Sequence, residues 1–156
     1  MEEEEEIKTY LTFTLSNELF AANVAGIQNI LEMPLITPVP KSEPYMKGVS
    51  NLRGSILPII DTGVKFNLPG SVVTKNSAVL VVKIMLDNEM IDAGLLVDSV
   101  SEVFEYNKED IIEIPSVGVT FNTKYLDGFV KYKGKHYMLL NFDKVFADQA
   151  KQNVLR

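Results

Sequence analysis

The sequence predicts a mainly β protein made of two small barrels packed side by side. Short apolar runs of strand length, many alternating with polar residues, recur between turns rich in Gly, Asn and Ser. The second half also repeats the first. Shifting by 80 positions pairs Tyr45 with Tyr125, Met46 with Leu126, Gly48 with Gly128, Gly54 with Gly134 and Phe66 with Phe146, without a gap, and sets Asp61 on Asn141. Upstream the offset shrinks, so that Asn17-Glu18 falls on Asn88-Glu89 and Val24 on Val97, as loops of unequal length require. A unit of about 70 to 80 residues is too long for a solenoid repeat and suits a small barrel. With 156 residues, 46% of them apolar and 23% charged, the chain can bury a real core.

Leu11, Phe13 and Leu15 alternate with Thr12 and Thr14, and Ser16-Asn17-Glu18 turns into Leu19 to Ala22, a strand–turn–strand signal. Val24 to Leu31 has apolar residues at 24, 27, 30 and 31, a spacing that fits a short helix or an irregular strand. Pro34, Pro38, Pro40 and Pro44 then hold the chain extended. Gly48 to Leu52 and Ser55 to Asp61 flank Arg53-Gly54 as a hairpin, because glycine accepts the positive φ of a tight turn. Pro58 cannot donate to a ladder, which predicts a sheet edge, a bulge, or a neighbour other than a strand. Gly63 to Gly70 reads as a loop or one helical turn.

Ala78 to Leu86 and Met90 to Val97 form the next hairpin, and Asp98 to Tyr106 a further strand. Asn107 to Asp110 reads as a polar turn, and Ile111 to Val117 as a short apolar segment. Gly118 to Lys124 is a loop, and Tyr125 to Tyr132 pairs with His136 to Asn141. Asp143 to Gln152 reads as a capped terminal helix. The domain plan is an acidic, disordered tail over 1–8 and one domain over 9–147. Its two repeated subdomains span roughly 9–70 and 77–147, an exchange of strands at the ends being left open, and 148–156 form a tail or helix end.

Composition excludes several classes of function. There are no cysteines, which removes disulfides, thiol catalysis and cysteine-held metals, and makes the cytoplasm the expected compartment. A net charge of −6 opposes nucleic acid and anionic membranes as partners. No apolar run approaches the ~20 residues of a membrane-spanning helix, so no membrane insertion is expected. His136 is the only histidine and has no nucleophile or carboxylate at a catalytic spacing. Scattered carboxylates beside one histidine make no metal set, Glu109-Asp110 reads as solvated, and no phosphate loop is present. The expectation is no enzyme and no cofactor, with proteins as partners.

The hairpin around Arg53 is where the two copies differ. Asn51-Leu-Arg-Gly-Ser-Ile-Leu-Pro58 stands in one, Lys131-Tyr-Lys-Gly-Lys-His-Tyr-Met138 in the other. Shared geometry accounts for the glycines but leaves Asn51, Arg53 and Pro58 as candidates for a specific contact.

Gly48-Val-Ser-Asn-Leu-Arg-Gly54 with Ile56 to Asp61, Tyr10 to Phe13, Gly94 to Val103 and Tyr125 to Gly128 resembles, in order, the recurring segments of the CheW-like family of bacterial chemotaxis coupling proteins. The resemblance spans about Thr9 to Phe146. It implies two SH3-like five-stranded β-barrels with a shared core and a short C-terminal helix. It also implies a non-catalytic adaptor between the cytoplasmic tip of methyl-accepting chemoreceptors and the regulatory domain of the histidine kinase CheA, in receptor arrays at the inner face of the membrane. Carried over residue by residue, Arg53, Ile27, Asn29 and Ile30 would face the receptor, with Asn51 beside Arg53, and in the same adaptor reading Ile36, Val64 and Phe66 are candidate anchors for the kinase at the end of the first barrel. The match of Phe66 with Phe146 equally indicates a buried role. Asn29 stands where family members often carry glutamate, and Thr62-Gly63 follow Asp61 where the family usually has leucine and arginine. The alternatives are a kinase-binding scaffold outside chemotaxis and a small-ligand-binding β-barrel.

Overall fold

Ten strands carry the chain: β1 (Ile7–Leu15), β2 (Glu18–Asn23), β3 (Ile27–Glu32), β4 (Met46–Leu52), β5 (Ser55–Asp61), β6 (Ala78–Leu86), β7 (Glu89–Val97), β8 (Ser99–Asn107), β9 (Leu126–Tyr132) and β10 (Lys135–Leu140). A short helix, α1 (Thr62–Lys65), follows β5, and residues 142–146 form a second, α2, after β10. This computed structural model describes residues 6–70, 72–86, 88–114 and 123–146. The remainder of the expected terminal helix, residues 115–122 of the expected apolar segment and loop, and most of the acidic stretch lie outside those residues.

Two five-stranded sheets result, in the orders β8-β1-β2-β10-β9 and β3-β6-β7-β5-β4. If β1 to β5 are matched with β6 to β10, one order becomes the other. Each sheet joins the first hairpin of one repeat to the last three strands of the other. The sequence repeats over 9–70 and 77–147 are therefore not the sheets, each of which draws on both halves. The sheets share a central core holding Phe13, Phe20, Leu80, Val82, Leu95, Leu140 and Phe66. Because side chains alternate across a strand, each sheet also presents a second face. Those faces bury separate clusters, Tyr10, Phe104 and Tyr137 in one sheet and Leu57, Ile59 and Val79 in the other.

The shared residues are the ones the backbone demands. Gly48 and Gly128 have φ of +151° and +149°, and a Cβ on either would run into a neighbouring carbonyl, that of Thr37 or Ile112. Arg53-Gly54 and Lys133-Gly134 all have positive φ, the signature of a tight hairpin turn. Asp61 caps α1 by accepting from Val64 N–H at 3.3 Å, and Asn141 accepts from Lys144 N–H at 3.2 Å at the start of α2.

Some expectations change. Val24 to Leu31 resolves into a 3-10 turn, Val24–Gly26, followed by β3. Ile7 and Lys8 already pair with Asn107 and Tyr106, so the domain begins inside the stretch assigned to the tail. Strand β5 is interior, between β4 and β7, so Pro58 is not on a sheet edge. No donor is missed towards β4, because Val49, the partner of Pro58, directs both its N–H and its C=O at Thr37 (2.9 and 2.8 Å), and towards β7 the paired register begins only at Ile59, one residue past the proline.

Candidate functional site

Strand register puts the two halves on a common frame. Ile30 and Ile27 face Leu80 and Val82, while Val103 and Val100 face Leu11 and Phe13. Both strands carry their irregularity between those positions, so Asn29 corresponds to Glu102. On the other side of the hairpins, Ala21 pairs with Leu139 and Gly94 with Ile59, the same matched position of β10 and β5. Ala21 therefore corresponds to Gly94, Phe20 to Ala93, and Leu19 to Asp92.

A groove of about 340 Å³ runs between the sheets, lined by Leu11, Val24, Ile27, Asn29, Ile30 and Val103. Ile30 and Val103 are 45% and 54% exposed, so its apolar wall is open to contact. Beside it, at the turn end of β4 and β5, lies a cup of about 250 Å³ lined by Asn29, Leu52, Arg53, Ile56, Leu57, Val81 and Asp92, among others. Asn29 borders both. The structure thus gathers Ile27, Asn29 and Ile30 in the groove and Asn29 with Arg53 in the cup. Asn51 enters neither lining. Its Oδ1 accepts from Gly54 N–H at 2.9 Å, so it braces the turn that presents Arg53, and local geometry accounts for its place.

The corresponding end of the other sheet differs in charge. There Lys133 Nζ lies 3.3 Å from Glu102 Oε2, and this carboxylate holds the ammonium above its usual pKa. The Glu102 backbone is fastened as well, its N–H donating to Thr12 Oγ1 at 2.9 Å. In the first copy Asn29 replaces the carboxylate, and Arg53 forms no ion pair with any described residue. Asp92 adds a second unmatched group, since its Oδ1 is shielded from solvent and receives no hydrogen bond from the described residues. The cup therefore shows an unneutralised guanidinium at the lip, a carboxylate oxygen within, and exposed Ile56 alongside.

The other trio is not brought together. Phe66 is 1% exposed, stacked on Tyr125 at 5.1 Å and tilted against Phe20 at 5.9 Å, so it is a core residue and not a surface anchor. Ile36 is half-buried against the Leu57 cluster and closes over Gly48, and Val64 is half-buried on α1. Leu11, Val103, Ile56 and Asp92 were not singled out from sequence. Asp92 was open to detection, as the one charged residue between Met90 and Val97.

A family model described as a CheW-like domain matches residues 9–150. The chain is 33% identical over 140 residues to the chemotaxis protein CheW of Klebsiella aerogenes, covering 90% of this chain and 82% of that one. It is 27% identical to the chemotaxis protein CheW of Bacillus subtilis, over 96% of each. Among solved structures, the crystal structure of the scaffolding protein TtCheW from Thermoanaerobacter tengcongensis superposes with a TM-score of 0.80 at 26% identity, over 93% of this chain and 96% of that one. The chain belongs to the CheW-like family.

Proposed function

We propose that the chain is a non-catalytic chemotaxis adaptor that couples chemoreceptors to the kinase CheA. The observation that carries the receptor side is the contrast between the two sheet ends. Lys133 is neutralised by Glu102, whereas Arg53 is held at the lip of a cup with Asn29 opposite and no ion-pair partner among the described residues. Exposed ion pairs contribute about 0–1 kcal/mol to folding, so leaving Arg53 unpaired costs the fold little and keeps its charge for a partner. The adjoining groove offers Ile27, Ile30 and Val103 to an apolar helical surface, and Arg53 fixes orientation. In this reading Asn51 holds the turn, the receptor tip lies along the groove, and the regulatory domain of the kinase contacts the half-buried Ile36 and Val64, which stand on separate elements. Among the described residues no helix is long and apolar enough to cross a membrane, and the adaptor is held at the cytoplasmic face through its receptors.

Reconstitution with a receptor signalling fragment and a histidine kinase tests the proposal. The protein is expected to co-sediment with both. Arg53→Ala is expected to weaken receptor-dependent kinase control with an unchanged thermal melt. An unchanged response removes Arg53 from the site, and failure to co-sediment with either partner overturns the adaptor reading.

A further inference from the structure

We propose that the cavity under the 39–43 segment is a docking pocket for an aromatic side chain of a partner protein. The cavity measures about 340 Å³, and its walls include Tyr45, Met46, Pro58, Ile60, Ile84 and Phe146, with Ala93 at its base. Its buried floor is apolar, Ile60, Ile84 and Ala93 being 4%, 2% and 2% exposed.

The matched place in the other sheet shows what would fill it. Tyr125, Leu126, Met138, Leu140 and Phe66 correspond to Tyr45, Met46, Pro58, Ile60 and Phe146. Strand register sets Phe20 on Ala93, and Leu15 with Glu18 on Ile84 with Ile91. In that sheet the Phe20 ring occupies the space, fully buried, 5.9 Å from the Phe66 ring, which stacks on Tyr125 at 5.1 Å. Where Phe20 closes one half, Ala93 leaves the other open with the same aromatic frame. Apolar cavities of only about 150 Å³ take up benzene, so a ring fits.

The mouth argues for a side chain carried by a protein. Exposed Lys41, Ser42 and Glu43 frame the opening around an apolar floor, the arrangement of an interface anchor site with a polar rim. Ala93 neighbours Asp92 on β7, and successive residues point to opposite faces, so this pocket lies across the sheet from the Arg53 cup.

Methyl NMR of the full chain with N-acetyl-phenylalaninamide as probe tests the proposal. Saturable shifts are expected at Met46, Ile60, Ile84 and Ile91, and none with N-acetyl-alaninamide. Ala93→Phe, which places the sister ring in the void, is expected to abolish the shifts and raise Tm, and Ala93→Leu to weaken binding several-fold. Absence of shifts, shifts that persist in Ala93→Phe, or an Ala93→Phe protein that fails to fold overturns the proposal. Entry of toluene but not of the amino-acid probe also overturns it, since the cavity would then be closed to a tethered ring. In the reconstituted assembly, an arm that rests on the adaptor reading, Ala93→Phe is expected to weaken retention of a partner at least tenfold. Full retention of both overturns the partner assignment. If wild-type protein assembles with neither, the adaptor reading fails while the NMR result still decides whether the pocket takes a ring.

Discussion

Replacing Gly48 with alanine tests how the fold closes beside β4. Gly48 has a φ of +151°, and an added Cβ would strike the Thr37 carbonyl oxygen and come within 2.7 Å of Ile36 Cγ2. Neither obstacle is a free side-chain end. Thr37 is tied to Val49 by two backbone hydrogen bonds of 2.8 and 2.9 Å, and Ile36 packs on the Leu57 cluster. The backbone strain costs about 1–3 kcal/mol. If Thr37 gives way, two hydrogen bonds worth about 0.5–1.5 kcal/mol each are lost as well. The sum, roughly 2–6 kcal/mol, compares with the ~5–15 kcal/mol that holds a typical domain folded.

Equilibrium urea unfolding measures this directly. At a slope of about 2 kcal/mol per molar, the midpoint should fall by roughly 1–3 M. Gly54→Ala isolates the backbone component: φ is +83° there and nothing lies within 4 Å of the new methyl, so the cost is about 1–2 kcal/mol. Gly128→Ala should match Gly48→Ala, since its Cβ would meet Ile112 O at 2.5 Å and Ile111 Cγ2 at 2.8 Å. A Gly48→Ala loss no larger than that of Gly54→Ala would refute the claim that the crossing of 36–37 over β4 requires glycine.

Phe66→Ala should cost about 3–5 kcal/mol in the same assay, since it removes a ring packed between Phe20 and Tyr125, and a loss below about 1 kcal/mol would return Phe66 to the list of surface anchors. Burial first, and the charge of Asp127 second, raise the Tyr10 phenol above its ordinary 10.0. The folded state then keeps a proton that the unfolded chain gives up, so this stabilisation is complete below the unfolded pKa and is lost as pH rises through the folded one. Tyr10→Phe should therefore flatten the alkaline fall of stability, and a profile that parallels wild type between about pH 9 and pH 12 would count against it.

Strand positions, turns and the repeat were legible because they depend on local chemistry. Alternation marked the strands, and the paired glycines marked two geometries that other residues resist. The sequence left an exchange of end strands open, but which strands cross was not legible, because β1 and β2 present the same pattern of apolar residues whichever sheet they enter. Pro58 misled for a related reason. Its lack of an N–H pointed to an edge, but Thr37 draws away the polar groups of Val49, a contact set by residues far from the proline in sequence. Asn51 was ambiguous because an amide suits a binding surface and a turn equally, and only the 2.9 Å bond to Gly54 N–H assigns it to the turn. Among the candidate site residues, those on β3 and the turn were found through the resemblance. Val103 and Leu11 were missed because they reach the groove only once β8 is laid beside β1.

A duplicated fold separates what the backbone requires from what a surface is used for. Gly48 and Gly128, Gly54 and Gly134, and the caps Asp61 and Asn141 serve the same geometry twice, so folding alone accounts for them. At Arg53 with Asn29, and at Ala93, the matched frame is built but left incomplete. The two omissions differ in energy. An exposed ion pair contributes at most about 1 kcal/mol, so its absence at Arg53 is nearly neutral for folding. A missing core phenylalanine side chain corresponds to a truncation that costs about 3–5 kcal/mol. The open pocket at Ala93 is thus the costlier departure from symmetry, and Ala93→Phe tests by its effect on Tm whether the sheet that holds β7 has given up stability that its sister keeps.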